Sequence, residues 1–215
     1  MSFVSRERAS LIDTLAQVGG DKPTLCDGWT TTDLLRHLLI REIQPLTALA
    51  AKLPIDQLSR GSKNRLAELE EASFDDLLAQ FRDGRQPYSP LRFNKVDSFM
   101  NTLEYAIHHE DVLRAQEPPI HRALTHEDNQ VLHGALKVAS KVLLRKVPVA
   151  VTLVCPGFDP IEVGSGAKKE RGTVRIVGDP IDVLLYISGR SQAARVTFEG
   201  DEELIGELTR TRLAM

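Results

Sequence analysis

The chain has 215 residues, of which 42% are hydrophobic and 27% charged, enough to bury a core as one large domain or two smaller ones. A formal net charge of −3, with lysines and arginines scattered rather than striped, argues against a nucleic-acid surface. Two cysteines, Cys26 and Cys155, are too few for a disulfide framework. No apolar run approaches the ~20 residues of a membrane span, and the opening MSFVSRERAS lacks the apolar core of a signal peptide. The expectation is a soluble, cytoplasmic protein without nucleic-acid or membrane partners.

Residues 2–18 carry Phe3, Leu11, Ile12 and Leu15 at roughly helical spacing, and Gly19-Gly20 supplies a stop. DKPTLCDGW reads as a loop. A second helix starts at Thr30 or Thr31, with Asp33 favourable at its positive end, and carries Leu34, Leu35, His37, Leu38, Leu39 and Ile43. It is expected to continue through Leu46 and Leu49, kinked at Pro45, to Pro54. Residues 55–73 are polar and read as a loop with a short helical turn at 65–71. Ser73 caps a short helix bearing Phe74, Leu77, Leu78 and Phe81, and GRQPYSPLRFN is an irregular connector.

Residues 96–115 form the central helix, with Val96, Phe99, Met100, Leu103 and Ile107 on its apolar side, ending before Pro118-Pro119. Thr125 and Asp128 set a further capping pattern for a helix through Val131, Leu132, Leu136, Val138, Leu143 and Leu144 to Lys146. Four substantial helices suggest a four-helix bundle over residues 1–147. At Pro148 the texture changes. VAVTLVC, IEV, GTVRIVG and RVTFEG read as short strands, KKER as a solvated hairpin turn, Asp179-Pro180 as a helix start, and DEELIGELTR as a last helix. The fold class is therefore α+β, with residues 148–215 forming a small C-terminal unit.

Glu104 and His108 stand four residues apart on the central helix, so their side chains project together at the border of its apolar side. A carboxylate and an imidazole are two thirds of a transition-metal site, and His37 is a plausible third donor. The same pair also reads as a surface ion pair, and His37 as a core histidine. His109 points ~100° away from His108 and reads as a residue behind the ligands or on the surface. Glu110 and Asp111 read as carboxylates that orient an imidazole or as solvated charges. Cys26, in the loop before His37, is expected to be a small buried residue, with a fourth ligand as the alternative reading; Trp29 is expected to be a core anchor, and His121, His126 and His133 surface residues.

CDGWTTTDLLRHL, residues 26–38, resembles the opening motif of the mycothiol-dependent maleylpyruvate isomerase family, within the DinB-like metal-binding superfamily. There a cysteine and Gly-Trp-Thr/Ser precede the helix with the first histidine ligand. EYAIHHEDVLRA, residues 104–115, is similar to the family's second motif, in which a glutamate and a histidine four residues later complete the metal set. The resemblance implies a DinB-like four-helix bundle covered by a small α/β domain. It implies His37, Glu104 and His108 as ligands of a divalent metal, usually zinc. GDPIDVLLYISGR, residues 178–190, resembles the C-terminal region where a helix ends in Gly-Arg, which implies a catalytic role for Arg190; a helix-end charge is the alternative reading.

The resemblance further implies mycothiol, the small thiol of actinobacteria, as cofactor, and a thiol transferase or isomerase acting on a small electrophilic substrate. Two other readings keep the same residues. One is a non-catalytic metal-binding or ligand-sensing protein that retains the bundle site. The other is a structural bundle with a buried Glu–His pair.

Overall fold

The structure is a computed structural model that describes residues 1–43, 60–84 and 95–213. The expected course of the second helix past Ile43 to Pro54, and the connector after Gly84, lie outside the described residues. The chain divides into two compact units, Met1–His121 and Arg122–Met215.

The first unit holds α1 (Phe3–Val18), α2 (Thr31–Ile43), α3 (Arg60–Glu71), α4 (Phe74–Asp83) and α5 (Lys95–Leu113). Ser2 caps α1 by accepting from Ser5 N–H, and Gly19, at a φ of 88° that favours glycine, ends it. Thr30 and Asp33 cap α2 reciprocally: Thr30 N–H donates to Asp33 Oδ2 at 2.9 Å, and Asp33 N–H to Thr30 Oγ1 at 3.3 Å. Ser73 caps α4 as its position suggests.

Helix α1 packs on α5 and α4, while α2 packs on α4 and α3. Leu11, Leu15, Leu34, Leu38, Phe81 and Tyr105 meet in one core cluster, and each such large apolar side chain removed from water contributes ~1.5–3 kcal/mol. Helix α3 is longer than the short turn expected at 65–71. Its apolar content is low, but Leu69 is buried, and the Leu69 carbonyl accepts from Arg36 Nε at 2.9 Å. Leu69 and a hydrogen bond from Arg65 Nη2 to Gln80 Oε1 at 2.7 Å anchor a helix that shows no sustained apolar period.

The second unit holds α6 (His126–Leu143), β1 (Ala150–Val154), β2 (Ile161–Val163), α7 (Ala167–Arg171), β3 (Thr173–Val177), α8 (Pro180–Ile187), β4 (Thr197–Glu199) and α9 (Glu202–Arg210). The sheet order is β2-β1-β3-β4, with β1 antiparallel to β2, parallel to β3, and β3 antiparallel to β4. Val151 faces Val174 and Leu153 faces Ile176 in register, and all four are buried. KKER is not a hairpin turn: it lies in α7, because β3 returns beside β1 instead of beside β2.

Thr125 caps α6 as expected, yet α6 belongs with the sheet, so the division falls at 121/122 and not at 147/148. The physical reason is α8. Every residue of that helix is buried, so it needs cover all round, and α6 packs on it and on β2 with Leu132 and Leu136 on its own buried side. His133, expected at the surface, is buried with them: its Nε2–H donates to the Asp159 carbonyl at 2.9 Å and its ring stacks on Phe158. Among the described residues no helix is long and apolar enough to cross a membrane.

Candidate metal centre

Two elements of the first unit supply the donors. The loop before α2 is tied back by Thr31 and Thr32, whose hydroxyls donate to the carbonyls of Gly19 and Gly20. Gly20 must stay without a side chain, since a Cβ there would lie 2.8 Å from Phe74. This fixes the start of α2 and so the height of His37. Helix α5 carries Glu104 and His108 on one face, and it is buried without a break from Thr102 to Arg114.

Glu104 Oε2 lies 3.2 Å from His108 Nε2 and 3.7 Å from His37 Nε2. The two imidazole rings stand 5.2 Å apart at 73°. Two ligands of one tetrahedral ion with bonds of ~2.0–2.1 Å are about 3.4 Å apart, so the observed separations fall on either side of that value. Two neutral imidazoles and a carboxylate are also a donor set that suits zinc. The residues present therefore fit a divalent ion, and the set leaves a further coordination position for another ligand.

A second group, Cys26, His108 and Asp111, has its donor atoms within 4.8 Å of one another. Here the distances say hydrogen bonding. Asp111 Oδ2 is 2.8 Å from His108 Nδ1 and 3.2 Å from Cys26 Sγ. A 2.8 Å separation is too short for two ligands of one tetrahedral ion and right for an N–H donating to a carboxylate. Asp111 thus sits behind His108 and turns its Nε2 towards Glu104. The Cys26 loop is fastened to the same residue by Leu25 N–H on the Asp111 carbonyl at 3.0 Å.

The electrostatics match. Burial raises the Glu104 carboxyl, but hydrogen bonds with His108 and His37 and the charges of His108 and Arg41 outweigh it and hold the group well below the usual carboxylate range. Burial disfavours charge on His108, yet Asp111, Cys26 and Glu104 together hold its pKa well above the ordinary imidazole value.

Several neighbours differ from expectation. Trp29 is 36% exposed, not a core anchor; its ring lies against His37, tilted at 55° with the centroids 5.2 Å apart. His109 is fully buried, between Glu7 Oε1 at 3.0 Å and Thr14 Oγ1 at 2.8 Å, so it is not a surface residue. Glu110 is a buried partner of Arg114 and not a solvated charge. Cys26 is partly exposed. Arg41, which spacing did not single out, reaches Glu104 Oε1 at 2.5 Å; its signal was its place four residues after His37. In the second unit, Arg190 follows α8, its N–H donating to the Leu185 carbonyl and its Nη1 to the Ser188 carbonyl.

Residues 4–90 match the family model described as the mycothiol maleylpyruvate isomerase N-terminal domain. Crystal structures of the mycothiol-dependent maleylpyruvate isomerase and of a histidine-to-alanine mutant of it are 14% identical to the chain; each alignment covers 93% of this chain and 92% of the other, with a TM-score of 0.59. That likeness shows the fold: a helical unit followed by a small mixed sheet with helices. No curated protein matches in sequence. The residues matched by that family model include the motif at residues 26–38, which resembles the same family, and stop short of the one at residues 104–115.

Proposed function

We propose that the protein is a zinc-dependent enzyme that uses mycothiol for thiol transfer to, or isomerisation of, a small electrophilic substrate. The observation that carries this reading is the convergence of His37 Nε2, Glu104 Oε2 and His108 Nε2. Zinc held by these three would stabilise a thiol as its thiolate at the remaining position. The thiol is then the nucleophile: addition to an activated double bond, rotation and expulsion isomerise it, and retention leaves a thioether.

The residues divide the work. Glu104 stays ionised and supplies negative charge. Asp111 fixes the ring of His108, and Trp29 lies against His37, the most exposed of the three donors with 34% of its side chain accessible. The accessible side of the set is therefore the His37 side, where a thiol would enter. For Arg190 the support is the resemblance of residues 178–190 alone, and the role proposed is to hold a substrate carboxylate, which a planar guanidinium fork can do with two parallel hydrogen bonds.

Metal analysis of native and zinc-reconstituted protein tests the centre: one ion per chain is expected, lost in His37→Ala and in His108→Ala. No ion in either preparation refutes it. Mycothiol titration of the zinc form, followed by assay with maleylpyruvate and a panel of electrophiles, tests turnover. Thiol binding without turnover across the panel would make the protein a ligand-binding module.

A further inference from the structure

The two oxygens of Glu104 have separate partners. Oε2 faces the imidazoles of His37 and His108, whereas Oε1 is 2.5 Å from Nη1 of Arg41. The side chains of Arg41 and Glu104 are only 16% and 10% exposed. Arg41 stands one helical turn beyond His37 on α2, so the helix that supplies one donor also restrains another donor across the gap to α5.

A carboxylate beside a divalent ion can give one oxygen or both. With two histidines already in place, a glutamate giving both oxygens would fill a four-coordinate centre and leave nothing for a thiol. A guanidinium on Oε1 opposes that rotation, because a charge-assisted hydrogen bond in a nearly dry site is about twice as strong as a neutral one. We propose that Arg41 is a positioning residue that keeps Glu104 a one-oxygen ligand and so reserves a coordination position for the thiol. This rests on His37, Glu104 and His108 being the metal ligands.

Cobalt(II) in place of zinc, with 2-mercaptoethanol as the thiol probe, reports both points. Four-coordinate cobalt absorbs strongly in the visible, higher coordination weakly, and a bound thiolate adds a near-ultraviolet charge-transfer band. In the unaltered protein a strong visible spectrum is expected in the presence of thiol. Arg41→Gln and Arg41→Met should still bind cobalt but need about 10-fold more thiol to develop the sulfur band, the loss typical of residues that orient a ligand. Arg41→Lys, which keeps the charge, should restore most of it. Unchanged spectra and thiol affinity in either folded variant overturn the inference and leave Arg41 as an ion pair joining two helices. If the unaltered protein takes up no cobalt, the centre itself fails, a result distinct from that one.

Discussion

Asp111 Oδ2 holds His108 Nδ1 at 2.8 Å, and the ring therefore presents Nε2 to Glu104 at 3.2 Å. Both side chains are buried, so no water competes for that hydrogen bond. Removing such an orienting carboxylate typically costs 10–100-fold in metal affinity. Asp111→Ala should lose zinc affinity in roughly that range, and Asp111→Asn, which keeps an acceptor, should lose less. Competition with a zinc indicator measures both. Wild-type affinity in Asp111→Ala would mean that packing alone holds the ring.

The metal-free protein should carry its stability between two titrations. The pKa of His108 is raised in the folded state above its ordinary value of 6.5. Its contribution is thus complete below that value and is lost as pH rises through the folded pKa. Glu104 runs the other way: its folded pKa is lowered from 4.5, so its contribution is present above that value and is lost as pH falls. Zinc inverts the alkaline limb, because an ion needs Nε2 unprotonated and its affinity climbs with pH over the same range. Urea unfolding across pH, with chelator and with zinc, should show opposite slopes on the alkaline side. His108→Gln should flatten the chelator curve there; a flat curve in the unaltered protein would contradict the assigned contacts.

Glu104 and His108 were legible because helix geometry brings residues four apart onto one face. His37 was less legible: no spacing rule connects residue 37 to residue 104, so the residues alone offered it only as a third donor, and the resemblance of the motif around it implied the pairing. Asp111 and Glu110 look alike in sequence, yet one holds the His108 ring and the other pairs with Arg114; the difference is a rotation of ~100° on a stretch of helix, residues 102–114, that is buried on all sides. The partition of α6 was hidden for a related reason. Its apolar side could serve either unit, and the deciding partner, α8, lies about 40 residues later. KKER read as a turn because a parallel return of β3 to β1 leaves no local trace in a short polar segment.

His109 and His108 are neighbours in sequence and should part in experiment. His109 spans Glu7 on one side and Thr14 on the other, tying α5 to α1. Replacing it takes one hydrogen bond from the buried Glu7 and one from the part-buried Thr14, a loss of ~1–3 kcal/mol. His109→Ala should therefore lower the unfolding free energy by about that amount and keep one zinc per chain. His108→Ala should lose the zinc. A double-mutant cycle of Glu7→Ala with His109→Ala should return a coupling of ~0.5–3 kcal/mol, and a coupling near zero would show that the contact is packing only.

The two cysteines should separate by reactivity. Cys155 follows β1 in the core with 1% of its surface exposed, and burial together with the nearby Asp179 charge pushes its thiol up to about 12. The thiolate is the reactive form, so at neutral pH Cys155 is both unreachable and protonated. Cys26 is partly exposed, with its S–H directed at Asp111 Oδ2. A maleimide at pH 7 should therefore label the folded protein at Cys26 alone, while unfolding in denaturant exposes Cys155 as well. Peptide mapping locates the label. Modification of Cys155 in the folded protein at a rate near that of Cys26 would show that the sheet opens far more readily than its buried register of Val151, Leu153, Val174 and Ile176 implies.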